Sequence, residues 1–235
     1  MNSNFLNPRL NIIKICDYTL LAEKSTVHEI QELCKKAIQY TCFSVCIQPD
    51  KVRIAQQELK NSNVLVCTVI SFPSGENTLE EKVIETTQAI QNGADEIDVV
   101  INYKKIANET YLINELNALR ELCHSHKNKI GKPITLKVII ESGLHTLEET
   151  IFFTKLCIKT KVDFIKTSTG KVAVGAEIEK VKVMYDEIRK VNSSLKIKAS
   201  GGLREIHQIE TYLPYVQRLG IGYQTVDSFK ILDKY

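Results

Sequence analysis

The chain has 235 residues, 43% apolar and 25% charged, the proportions of a soluble globular protein with ample length for a substantial core. Its net charge of +3 is small, and no basic stripe interleaves with aromatics, which argues against nucleic acid as a partner. No apolar run approaches the roughly 20 residues that cross a bilayer, and the opening MNSNFLNPRL lacks the apolar stretch of a signal peptide, so a cytoplasmic protein without a membrane partner is expected.

In chain order, the first apolar run is IIKICDY from Ile12, which fits either a strand or a short helix. Val27, Ile30, Cys34, Ala37 and Ile38 then recur at helical spacing and predict one apolar face. FSVCI from Phe43 and VLVCTVI from Val64 are brief and rich in Val and Ile, as buried parallel strands are. Thr78-x-x-Glu81 has the form of a capping box, and Gly93 closes the helical stretch that follows, just before the strand EIDVVI from Glu96. Leu112, Leu116, Leu119 and Cys123 make a further helical stripe ahead of TLKVII from Thr135. A second capping box, Thr146-x-x-Glu149, precedes DFIKTS from Asp163. Ile178, Val181, Met184 and Ile188 form the last stripe, followed by KIKAS from Lys196 and QRLGIG from Gln217.

That is eight strands, starting at intervals of roughly 20 to 40 residues with helical patterns between most of them, which is the rhythm of βα units. No linker or low-complexity segment divides the chain. The expectation is an α/β fold: a single (β/α)8 TIM barrel spanning 1–235, with a short tail ending in Tyr235. An open doubly wound sheet is the alternative, weakened by the lack of a G-x-G-x-x-G after the first strand. The seven cysteines are odd in number, contain no CxxC and have no histidines at zinc spacing. They read as free thiols in a reducing cytosol, with no metal site.

In such a barrel, chemistry belongs to polar residues at the C-terminal ends of strands. Asp17, Cys46, Asp98, Lys137, Lys166 and Lys198 interrupt otherwise apolar runs. Lys166 and Lys198 are each followed by loops rich in Gly, Ser and Thr. Two unit charges about 4 Å apart repel by roughly 4 kcal/mol at an effective dielectric near 20. Crowding the two lysines therefore favours a free amine on one of them, as a Schiff-base nucleophile requires, and Asp98 is placed to carry protons. The bland reading is that strand-end lysines snorkel to solvent; Lys196, at the other end of its strand, fits it. Two lysines at one barrel end, beside an embedded carboxylate, favour the catalytic reading. Thr169, Gly170 and Lys171 after one strand, Gly201 and Gly202 after the next, and Gly222 at the last offer donors for a phosphorylated substrate.

Several separated motifs carry a resemblance: DYTLL at Asp17–Leu21, VCIQP at Val45–Pro49, VISFPSG at Val69–Gly75, GADEIDVVIN at Gly93–Asn102, LKVIIE at Leu136–Glu141, DFIKTSTGK at Asp163–Lys171 and KASGGLR at Lys198–Arg204. Over nearly its whole length the chain resembles the deoxyribose-phosphate aldolase family. The resemblance implies a (β/α)8 barrel and a class I aldolase with neither metal nor organic cofactor. Its substrates would be 2-deoxy-D-ribose 5-phosphate and aldehydes, its setting deoxynucleoside catabolism in the cytoplasm, and its assembly a homodimer or homotetramer. It also implies that Lys166 forms the imine, Lys198 is the neighbouring cation, and Asp98 relays protons through a water. Asp17 and Lys137 would hold the charge network, Cys46 would line the pocket near the aldehyde, and Tyr235 would fold over the site. One departure stands out: RLGIGYQT places Gly222 and Tyr223 where the family usually carries serines that help bind phosphate. Another Schiff-base sugar-phosphate aldolase, or a catalytically silent sugar-phosphate-binding barrel, are the competing readings.

Overall fold

The computed structural model describes residues 8–229. Eight strands run β1 (Cys16–Leu20), β2 (Ser44–Ile47), β3 (Leu65–Ile70), β4 (Glu96–Val100), β5 (Thr135–Ile139), β6 (Phe164–Lys166), β7 (Lys196–Ser200) and β8 (Arg218–Gly222). Each pairs in parallel with the next, and β8 pairs with β1, so the sheet closes. This is the expected single (β/α)8 TIM barrel, and closure removes the open-sheet alternative. The outer layer consists of α1 (Pro8–Lys14), α2 (Val27–Tyr40), α3 (Val52–Leu59), α4 (Leu79–Gln91), α5 (Glu109–His124), α6 (Leu147–Thr160), α7 (Ile178–Lys190), α8 (Ile206–Glu210) and α9 (Tyr223–Ser228). Among the described residues no helix is long and apolar enough to cross a membrane.

The run at Ile12 is both things the sequence allowed. Ile12 and Ile13 are buried in α1, and the strand begins only at Cys16. Both expected capping boxes form: the Glu81 N–H donates to Thr78 Oγ1 at 3.2 Å while Glu81 Oε2 accepts from the Thr78 N–H at 2.7 Å, and Thr146 with Glu149 does the same. A third, Thr26 with Glu29, opens α2. The apolar face of α2 differs from expectation. Ile30, Leu33, Cys34, Ala37 and Tyr40 are its buried residues, whereas Val27 and Ile38 are 53% and 42% exposed. Ile38 stands one residue, about 100° of helix rotation, beyond Ala37 and so falls off the flank of the stripe.

Strand side chains alternate between two environments. Outward positions such as Ile97, Val99, Leu136, Val138, Ile165, Ile197 and Ala199 join the main apolar core between barrel and helices. The opposite parity carries Asp17, Glu96, Asp98, Lys137, Lys166, Lys198 and Arg218, with a small apolar cluster of Cys46, Cys67 and Val69 beside them. The apolar core thus lies between the layers, and the barrel's inside is largely ionic.

Candidate active site

Six strands each contribute to one buried network. At its lower end Arg218, the first residue of β8, donates to Asp17 at 2.7 Å and to Glu96 at 2.8 and 3.2 Å. The Arg218 guanidinium also lies 3.4 Å from the centroid of the Phe43 ring. Lys137 on β5 lies 2.6 Å from Glu96 and 2.9 Å from Asp98, and 3.8 Å from Asp17. Lys198 on β7 donates to Asp17 and, at 2.6 Å, to Asp98 Oδ2. That same oxygen accepts from Lys166 at 2.7 Å. The register explains the meeting: Asp98 pairs with Lys137 across β4–β5, and Lys166 with Lys198 across β6–β7.

Burial of so many charges is tolerable only because every one is partnered. Burial alone would push the Asp98 carboxyl up, but Lys137, Lys166 and Lys198 more than offset it and hold the group well below the usual carboxylate range. Asp17 is likewise depressed against its burial, by Arg218, Lys198 and Lys137. Burial would strip the proton from Lys198, yet Asp17 and Asp98 reverse this and raise it above an ordinary lysine. Lys137 is raised in the same way, chiefly by Asp98. Asp17 and Asp98 are therefore anions, and Lys137 and Lys198 are cations.

Above the network opens a cavity of about 760 Å³. Lys166 lines it, whereas Lys198, Asp98, Asp17 and Lys137 are fully buried beneath. The residues expected to meet phosphate, Thr169, Gly170, Lys171, Gly201, Gly202 and Gly222, all line this same cavity. The turns after β6 and β7 are stitched together: Thr167 Oγ1 donates to the Ser200 carbonyl at 2.9 Å, and Ser200 Oγ donates to the Ser168 carbonyl at 2.5 Å. Gly201, at φ 85°, sits where an added Cβ would come 3.3 Å from the Gly170 Cα and 3.2 Å from that of Gly175. Only glycine lets these backbones approach so closely.

Cys46 departs from expectation. It does not line the cavity but is buried below it against Cys67, Val69, Leu21 and Phe72. A hydrogen bond from Cys67 lowers the Cys46 thiol against the effect of burial. Sulfur and oxygen donors of Cys46, Cys67 and Asp98 lie within 4.8 Å of one another. Both Asp98 oxygens already accept from lysine ammoniums, so a cation there would have to displace them. Tyr235 lies outside the described residues. Tyr223 lines the cavity beside Gly222.

Three residues in this region escaped sequence reading. Glu96 and Arg218 begin their strands, where a charge looks solvent-bound, but strand alternation puts Glu96 on the face of Asp98. Glu141 stands two residues past the end of β5 and is buried, with burial pushing its carboxyl up. Its charge just past a strand end resembles ordinary loop polarity.

The family model described as DeoC/LacD family aldolase matches residues 11–212. The chain is 45% identical over 193 residues to the deoxyribose-phosphate aldolase of Metamycoplasma arthritidis (strain 158L3-1), covering 81% of this chain and 84% of that one. With the deoxyribose-phosphate aldolase of Clostridium kluyveri (strain NBRC 12016) it shares 41% identity over 228 residues, covering 95% and 97%. Among solved structures, an aldolase called QR15 superposes with a TM-score of 0.82 at 28% identity, covering 93% of this chain and 96% of that one. A tetrameric deoxyribose phosphate aldolase from Aeropyrum pernix shares the fold, with a TM-score of 0.83 at 24% identity over 95% and 93% of the two chains.

Proposed function

Because the chain belongs to the DeoC/LacD aldolase family and is a lyase, we propose that it reversibly cleaves 2-deoxy-D-ribose 5-phosphate to acetaldehyde and D-glyceraldehyde 3-phosphate through a Schiff base on Lys166. The observation that carries this reading is the position of Lys166: it is the network amine that lines the cavity, and it shares one Asp98 oxygen with Lys198. Charge arithmetic supports it. Arg218, Lys137 and Lys198 balance Asp17, Glu96 and Asp98 three against three. Lys166 is the fourth basic group of a set with three carboxylates, and its one ion-pair partner among the described residues, Asp98, is shared with Lys137 and Lys198.

In the proposed mechanism the Lys166 amine attacks the substrate aldehyde carbon, and loss of water gives the imine. Its protonated form restores one excess positive charge inside the barrel and draws electrons from the C–C bond being broken. As that bond breaks, the hydroxyl on the departing carbon gives up its proton and becomes the carbonyl of the phosphorylated aldehyde, leaving an enamine on Lys166. Protonating the enamine carbon and hydrolysing the imine frees acetaldehyde. Asp98 relays these protons; a carboxylate held so low keeps a proton only briefly, which suits a relay better than a resting acid. Lys198 remains charged throughout, pinned by Asp17 and Asp98. Phosphate is received by Gly170, Lys171, Gly201, Gly202 and Gly222, which line the same cavity as Lys166. We further propose a role in deoxynucleoside catabolism in the cytoplasm and assembly as a homo-oligomer.

Borohydride trapping tests the scheme. Incubation with the deoxysugar phosphate followed by reduction should leave one stable adduct, and peptide mass spectrometry should find it on Lys166. An unmodified protein, or an adduct on another lysine, refutes the assignment.

A further inference from the structure

Glu141 takes no part in the ion-pair network, yet its side chain is fully buried and its backbone is left-handed at φ 53°, a region that non-glycine residues seldom occupy. Its carboxylate reaches across to the turn after β6. The Thr169 N–H donates to Oε1 and Oε2 at 3.2 and 3.3 Å, and the Thr169 hydroxyl donates to Oε2 at 2.5 Å. Thr169 Oγ1 in turn accepts from the Lys171 N–H at 3.1 Å. A threonine has one hydroxyl and one amide hydrogen, so both of its donors are committed to Glu141 although the residue lines the cavity. The neighbouring glycines differ: among the described residues, the N–H groups of Gly170, Gly201 and Gly202 donate to no protein acceptor. All three have positive φ, between 74° and 85°, and line the cavity. Successive amides in such turns make an anion-binding concavity.

We propose that Glu141 is a positioning residue for the phosphate end of the cavity: it fixes the Thr169–Lys171 turn against Gly201-Gly202 so that backbone amides and the Lys171 ammonium, instead of the Thr169 hydroxyl, receive a phosphate monoester. This rests on the reading that the substrate is a phosphorylated sugar. A merely structural anchor would serve every substrate alike. A positioning residue acts on the phosphate alone, and the two roles separate in kinetics.

The test compares Glu141→Gln and Thr169→Val with the unaltered protein, using 2-deoxyribose with and without its phosphate, and inorganic phosphate as a binding probe by calorimetry. In Glu141→Gln, KM for the phosphorylated sugar and Kd for inorganic phosphate should both rise about tenfold, the scale of one charged hydrogen bond, while kcat stays within about threefold. Thr169→Val keeps the amide bond to Glu141 and should show a smaller rise of the same kind, about threefold. The double variant should resemble Glu141→Gln alone, because the two groups act as one unit. Should Glu141→Gln fail to fold, Thr169→Val alone decides. Equal losses on the phosphorylated and plain sugars, or unchanged phosphate affinity in the variants, overturn the proposal. So does an unaltered protein that binds no phosphate. If the unaltered protein binds phosphate in a Glu141-dependent way but cleaves no sugar, the aldolase reading falls and the positioning role stands.

Discussion

A protonated lysine cannot attack a carbonyl, so the nucleophile must find its free amine inside a barrel lined with ions. In the proposed scheme that nucleophile is Lys166, which stands at the rim of a set whose other members pair three cations with three carboxylates. Replacing it with leucine should reduce cleavage on the order of 10⁴-fold or more while the protein stays folded, checked by turnover and circular dichroism. Replacing Lys198 with leucine changes the arithmetic differently. Arg218, Lys137 and Lys166 then face the same three carboxylates, a set that balances only with Lys166 protonated. Activity at neutral pH should fall on the order of 100-fold and recover in part as pH rises, so the pH–rate profile moves to higher pH. A profile unmoved by that substitution would refute the role given to Lys198. Lys166, Lys198 and Asp98 were legible in the sequence because each interrupts a core strand, where a charge demands a reason. Their partners Glu96 and Arg218 were not, because a charge at a strand's first residue normally faces water.

At the level of elements, strand register turns a list of polar residues into a site. Pairing Lys166 with Lys198 and Asp98 with Lys137 fixes which heads can share an oxygen. Gly220 on β8 keeps the space this requires, since an added Cβ would lie 2.8 Å from the Ser200 Cβ and 3.1 Å from Lys198 Cε. Gly220→Ala should therefore displace the Lys198 head, lowering kcat at least about tenfold with a smaller effect on overall fold. Unaltered kcat in that variant would show that the close approach is slack. The eight strands were readable because buried parallel strands are near-continuous Val and Ile runs. The boundary between α1 and β1 was not, since Ile12, Ile13, Ile15 and Cys16 are apolar without a period to tell helix from strand. The capping boxes declared themselves because a threonine three residues before a glutamate satisfies helix-end donors by local geometry alone.

For the molecule as a whole, a core of ions ties stability to pH from both sides. Asp17 and Asp98 have depressed folded pKa values, so their contribution is present above the unfolded value of about 3.9 and is lost as pH falls through the folded values. Lys137 and Lys198 are raised, so their contribution holds below about 10.4 and is lost as pH climbs further. Denaturant midpoints should show a plateau between about pH 5 and 9 with a fall on either side; a flat curve from pH 3 to 11 would contradict the ionic interior. The network has a further bearing on synthesis. Its charges come from β1, β4, β5, β6, β7 and β8, and Arg218, which holds Asp17 and Glu96, stands on the last strand to leave the ribosome. The buried ion set is complete only when the circle of strands closes, and the cavity above it takes its shape in the same step.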